Sequence, residues 1–307
     1  MSIARTTLPF HWVDVFAVEP LTGNPLAVVE GGDDLAPDLL RRIAREFNQS
    51  ETTFVMRPTR PGADRRLRSF TAAGVEVFGA GHNALGAWWW LAEAGKLPLA
   101  SATSLFQQAS LFHQEIGDRV FPVTVSTSGG VPDRIVMDQE APEARGQVEN
   151  VAALASSLGL TQEELATERL PCQVVFTGAA HLMVPIRNRD AVDRIRPNAP
   201  ALFEVLRGAD AEGCYVFSLD PRHAGATAYA RFFNPTAGIW EDPATGTAAG
   251  PLAAHLVAHR LAHHDQPIVI EQGTAMGRTS LIHAEVFPNK VQISGRGVLV
   301  ASGKLTL

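Results

Sequence analysis

The segment Glu241-Asp242-Pro243-Ala244-Thr245-Gly246-Thr247-Ala248-Ala249-Gly250 holds the residue types from which an anion site can be built. An acidic pair runs through a proline into Thr-Gly-Thr. Small residues then open the apolar stretch Pro251-Leu252-Ala253-Ala254-His255-Leu256. That order predicts a loop feeding a helix. Thr245 or Thr247 can cap the first turn, and the N–H groups that a helix leaves unbonded at its start suit a carboxylate. Glycine at 246 permits positive φ and a close approach of backbone to ligand.

The same arrangement occurs earlier in the chain. Arg68-Ser69-Phe70-Thr71 precedes Gly79-Ala80-Gly81-His82-Asn83-Ala84-Leu85-Gly86 and the apolar run Ala87-Trp88-Trp89-Trp90-Leu91. Arg231-Phe232-Phe233-Asn234 stands in the same relation to the Thr-Gly-Thr loop. The arginines are 163 residues apart (68 to 231) and the glycines 165 (81 to 246). Each copy reads strand, glycine loop, small-residue helix start, which predicts two similar domains. Two such helix starts facing each other would hold one carboxylate between two sets of N–H donors.

A chain of 307 residues accommodates two domains, and 46% hydrophobic with 19% charged residues is the composition of a globular enzyme. The net charge of −6 argues against nucleic acid and anionic membrane as partners. Apolar runs such as 84–94 are too short to span a bilayer. The opening Met1-Ser2-Ile3-Ala4-Arg5-Thr6-Thr7 lacks the apolar core of a signal peptide. The two cysteines, Cys172 and Cys214, supply neither a disulfide framework nor metal spacing, so a cytoplasmic setting is expected.

The positioning elements are mostly strands. Residues 12–16, 24–29, 52–56, 66–70, 120–126 and 134–137 read as β, followed by 174–176, 182–186, 214–218 and 229–233. Beyond the second glycine loop come 268–270, 281–286, 291–293 and 298–300. Helical spacing of Leu39, Leu40, Ile43, Ala44 and Phe47 predicts a helix over 37–47. Helices are also expected from 87 and 248 onward, at 151–158 and at 162–165. The stretch 139–147 reads as irregular. Strands outnumber helices without regular βαβ alternation, which indicates an α+β chain of two mixed-sheet domains, each built around a helix.

Several segments together resemble the PhzF-type phenazine-biosynthesis family. They are Asp14-Val15-Phe16 with Pro20-Leu21-Thr22-Gly23-Asn24-Pro25-Leu26-Ala27-Val28; Ile43-Ala44-Arg45-Glu46-Phe47-Asn48-Gln49-Ser50-Glu51-Thr52-Thr53-Phe54-Val55; Gly81-His82; and the 241–252 segment. Gln272-Gly273, Gly277-Arg278 and the closing strands with Gly295 and Gly303 follow. The resemblance runs from about residue 10 to the C-terminus. It implies a diaminopimelate epimerase-like fold of two pseudo-symmetric domains, each a mixed β-sheet barrel around a central helix. The expected domains are 1–130 with 290–307, and 131–289.

The resemblance also implies roles. Epimerases of this fold use two cysteines, one beside each glycine loop. Here those positions hold Ala80 and Ala244, so proton chemistry falls to carboxylate or imidazole. Glu51 occupies the family's general acid/base position, and partial burial at the start of an apolar strand would raise its proton affinity. His82 would bind substrate or exchange protons with Glu51. Asp242 would fix a substrate amine or hydroxyl and orient His82. Gly81, Asn83, Gly246 and Thr247 are the expected substrate-binding positions. Asn83 replaces the proline common after Gly-His and is similar to the Gly-Asn of the epimerase branch. The loop 72–79 also departs from the common pattern, leaving the substrate open.

The expected reaction is a cofactor-independent isomerisation of a small carboxylate by proton shuttling through Glu51, as with trans-2,3-dihydro-3-hydroxyanthranilate. An amino-acid epimerase or racemase and a non-catalytic binding module are the alternatives. No cofactor and no metal are expected; His255, His259 and His263 at i, i+4 and i+8 are read as a helix surface. The expected partners are a small-molecule carboxylate and a second copy of the chain in a homodimer.

Overall fold

A computed structural model describes residues 6–99, 108–264 and 266–307. The opening stretch 1–5, read above for a leader, lies outside them. No helix among the described residues is long and apolar enough to cross a membrane. The chain divides into two compact units, Met1–Met137 with Ser294–Leu307, and Asp138–Ile293.

The first unit begins with strand β1 (Thr7–Val15), paired antiparallel with β2 (Asn24–Glu30) and with the last strand of the chain, Gly297–Thr306. Helix α1 (Pro37–Phe47) follows and buries Leu40, Ile43 and Ala44. Then come β3 (Glu51–Met56), parallel to β2, and β4 (Arg65–Thr71), antiparallel to β3. The short β5 (Glu76–Val77) pairs antiparallel with β4 and leads to helix α2 (His82–Glu93). β6 (Gln108–Ile116) lies parallel to β4; β7 (Arg119–Ser128) and β8 (Val131–Gln139) continue antiparallel.

Helix α2 is buried on every side from His82 to Ala92. Its sequence carries no acidic or basic residue before Glu93 other than His82, so no face requires water. Gly86 lets it close on the sheet, since a β-carbon there would meet Val15 Cγ2 at 2.6 Å and Leu26 Cδ2 at 2.7 Å. Trp88, Trp89 and Trp90 are all core.

In the second unit β9 (Glu143–Gln147) pairs antiparallel with β10 (Gln173–Phe176), so the stretch read as irregular contains a strand. Helix α3 (Val151–Ser157) lies between them. β11 (Ala180–Pro185) is antiparallel to β10. Helices α4 (Arg189–Arg194) and α5 (Ala199–Gly208), not anticipated from spacing, come next. β12 (Gly213–Ser218) runs parallel to β11, and β13 (Ala228–Asn234) antiparallel to β12. β14 (Ile239–Asp242) precedes helix α6 (Gly246–Ala258). β15 (Ile268–Gln272) lies parallel to β13, followed by β16 (Ser280–Phe287) and β17 (Lys290–Gly295).

The two units repeat one pattern. β1-β2-β3-β4-β5-α2-β6-β7 corresponds to β10-β11-β12-β13-β14-α6-β15-β16, with the same senses of pairing. In each, one apolar helix is buried by the sheet, giving an α+β fold of two similar units.

The histidine reading needs correction. Helix α6 ends at Ala258, so His263 is not on it, and His255 is 2% exposed with its ring edge-on to Phe217. The helix is apolar all round, which leaves His255 no solvent face.

Candidate active site

Glu51 opens β3 and His82 opens α2. Their side chains meet within the first unit, His82 Nε2 to Glu51 Oε2 at 2.9 Å, with 8% and 13% of the side chains exposed. The atoms are close but off the line of an aligned hydrogen bond. A carboxylate and an imidazole in such contact can exchange a proton directly.

The glycine loop beside them is organised by Asn83. Its Oδ1 accepts from Gly81 N–H at 2.8 Å, and its Nδ2 donates to Ser69 Oγ at 3.0 Å and Gly79 O at 3.1 Å. Thr53 Oγ1 lies 2.9 Å from Ser69 Oγ. Gly81 and Asn83, expected as substrate contacts, therefore spend these groups on each other and on the strands that carry the loop. An amide side chain near a helix start competes for the same N–H groups an anion would use.

A second tie holds the approach to this loop. Arg68 on β4 grips Glu76 on β5 in a fork, Nε–Oε1 and Nη2–Oε2 both at 2.7 Å. That hydrogen bonding raises the Arg68 pKa against the opposing effect of burial. The second unit has the same fork, Arg231 to Glu241 at 2.8 and 2.9 Å. Arg231 also donates to Val192 O and Ile195 O at the end of α4. The Arg-x-Phe repeat seen in the sequence is thus a repeated clamp between neighbouring strands, whose bidentate geometry suits arginine.

In the second unit Gly246 is the first residue of α6, and the positive φ that a glycine permits is not used there. Thr245 is the N-cap residue, yet its side chain makes no cap bond. It instead donates to Asp242 Oδ2 at 2.6 Å. Asp242 is 6% exposed. Thr247 Oγ1 lies 3.4 Å from His181 Nε2. Burial lowers the His181 pKa to about 4, so its ring is neutral near pH 7. Gln139 crosses α6 at Gly250 and donates to Gly246 O at 2.9 Å; a β-carbon on Gly250 would sit 1.8 Å from Gln139 Oε1.

Sequence reasoning missed His181, Gln139 and the bonding of Thr245 to Gln272. Gln272 was quoted only within a motif. Each acts through a contact made 27 residues or more along the chain.

The cysteines stand apart from this chemistry. Both are buried, and burial raises the Cys172 pKa to about 12 and that of Cys214 further still. A thiol so disfavoured as thiolate is a poor base.

Each of the two repeated units is wound on a buried helix; Glu51 and His82 meet in the first, and the second holds the buried Asp242. The chain belongs to the phenazine biosynthesis-like protein family, whose model matches residues 13–303. It is 33% identical over 300 residues to the trans-2,3-dihydro-3-hydroxyanthranilate isomerase of Pseudomonas fluorescens, covering 96% of this chain and 98% of that protein. Among solved structures it resembles a PhzF-family phenazine biosynthesis protein of Bacillus anthracis (TM-score 0.85, 26% identity, 98% of this chain and 99% of that one). A hydroxyproline epimerase of Agrobacterium vitis shares the fold, with TM-score 0.64 at 14% identity over 100% of this chain and 93% of that one.

Proposed function

We propose that this isomerase moves a proton between carbons of a small conjugated carboxylate without a bound cofactor, using Glu51 as a single acid and base. Glu51 takes the proton from one carbon and returns it to another along the conjugated system. His82 hydrogen-bonds the substrate and exchanges protons with Glu51. Asp242 fixes an amine or hydroxyl of the substrate, and the helix start at Gly246 and Thr247 holds its carboxylate. The isomerase of Pseudomonas fluorescens makes trans-2,3-dihydro-3-hydroxyanthranilate the first substrate to test.

The observation that carries this reading is the 2.9 Å contact between two largely buried groups, each set at the first residue of its element. The register of the two units favours one base over a matched pair. Glu51 corresponds in β12 to Gly213, and Asp242 corresponds in β5 to Val77. The two acids are not repeats of each other, whereas the paired cysteines of the epimerase branch stand one beside each glycine loop.

Incubation with trans-2,3-dihydro-3-hydroxyanthranilate in deuterated water tests the proposal. The expected result is an isomerised product carrying deuterium at one carbon. Recovery of unchanged, undeuterated substrate would remove this substrate from consideration, and inversion at a single carbon without isomerisation would favour the racemase reading.

A further inference from the structure

Gln272 closes β15 and is wholly buried. Its carboxamide faces two backbone groups that admit only one orientation. Thr245 N–H, which can only donate, lies 3.1 Å from one end, so that end is the oxygen. Asp242 C=O, which can only accept, lies 2.7 Å from the other, so that end is the nitrogen. The remaining protons then have no freedom. Tyr215 Oη must donate to Gln272 Oε1, at 2.7 Å. The second proton on Gln272 Nε2 goes to Thr245 Oγ1, at 3.0 Å. Thr245 has one hydroxyl proton, and having accepted from Gln272 it directs that proton to Asp242 Oδ2, at 2.6 Å.

We propose that Gln272, Thr245 and Tyr215 form a positioning relay that holds Asp242 in one rotamer with Oδ2 as a hydrogen-bond acceptor, ready for substrate. The relay explains why Thr245 gives up the helix cap its position invites. It also explains the lodging of a tyrosine hydroxyl in the core, where burial, with the nearby Asp242 charge adding, pushes its ionisation well above the usual range. The other ionisable groups on the elements carrying the relay are engaged elsewhere. Arg231 and Glu241 bind each other; Glu271 accepts from the N–H groups of Arg222 and His223; His255 packs against Phe217. The functional value of the relay rests on the reading of Asp242 as a substrate-contacting carboxylate.

The test is a 13C NMR titration of the Asp242 carboxyl in the full-length protein, assigned by its loss in Asp242→Asn. Thr245→Val keeps the side-chain shape and removes the donor. It should raise the titration midpoint by about one pH unit, because the bond lost favours the charged form. Thr245→Ser should restore the wild-type midpoint. Gln272→Glu replaces the donating end by an acceptor, draws the Thr245 proton away from Asp242, and should shift the midpoint in the same direction. Equal midpoints in folded wild type and Thr245→Val would overturn the relay. Should Thr245→Val fail to fold, the Gln272→Glu and Tyr215→Phe titrations decide in its place, an unshifted midpoint in both being the contrary result. Activity of Asp242→Asn is scored separately: full turnover there would remove Asp242 from the reaction while leaving the relay to stand or fall by the titration.

Discussion

Gly213 stands in the second unit where Glu51 stands in the first. Thr52 opposes Phe70 across β3 and β4, and Cys214 opposes Phe233 across β12 and β13, so the residues opening β3 and β12 correspond. A β-carbon on Gly213 would lie 2.4 Å from Phe232 Cζ and 3.3 Å from His181 Nδ1. The space a carboxylate side chain would need is taken by an aromatic ring and an imidazole. The duplication therefore keeps its strands and central helix but carries its two acids at different places.

Gly213→Ala tests whether that space is closed. Phe232 is 3% exposed and edge-on to both His181 and Tyr215, so its ring has little room to move. Overpacking of this kind should cost about 1–3 kcal/mol, measured by urea unfolding of wild type and variant. Unchanged stability would mean the position tolerates a side chain and the asymmetry is not enforced by packing.

Thr247→Val keeps shape and removes one hydroxyl from the start of α6. If that hydroxyl bonds a substrate carboxylate, its loss should cost roughly 1.5–3 kcal/mol, or about 10- to 100-fold in affinity. Calorimetric titration with carboxylate ligands and with analogues lacking the carboxylate separates this from a general defect. Equal affinities in wild type and variant would assign Thr247 to packing against His181 alone.

Acid should weaken the fold before most carboxylates titrate. Burial lowers the pKa of His181 to about 4, and burial foremost, with His259 adding, does the same for His255, against an ordinary value of 6.5. Between those values the unfolded chain binds protons that the folded chain refuses. Stability is therefore highest above pH 6.5 and falls as pH drops toward 4. The urea midpoint measured at intervals from pH 7 to pH 4.5 should follow this slope, and His181→Gln should make it shallower. A midpoint independent of pH over that range would show that neither ring resists protonation.

Local pattern reveals some of this molecule and hides the rest. The 37–47 helix is legible because Leu40, Ile43 and Ala44 recur at helical spacing and all are buried. Helices α4 and α5 escape because they are short and only partly apolar. The signal that could have found them is the asparagine before each, Asn188 and Asn198, whose side chains accept from Ala191 N–H and Ala201 N–H. Thr245 reads as a cap by position, but a tertiary partner, Gln272, claims its hydroxyl. Asn83 reads as a ligand-binding amide, but its side chain is bonded to Gly81 and Gly79 of its own loop and to Ser69 of β4. The strand registers that set Glu51 against Gly213 depend on pairings between distant segments. The role of Glu51 comes from resemblance; its contact with His82, 31 residues along, comes from the fold.

The central claim is that one carboxylate moves the proton. The direct measurement is turnover of trans-2,3-dihydro-3-hydroxyanthranilate by wild type and Glu51→Gln, with deuterium incorporation from solvent followed in both. Glutamine keeps the size and part of the hydrogen bonding of glutamate but cannot take up and release the proton. The account predicts a fall of at least ~10²-fold in both turnover and deuterium uptake, the scale of general acid–base catalysis, with circular dichroism and unfolding midpoint unchanged. A folded Glu51→Gln protein that isomerises and exchanges as fast as wild type would contradict it.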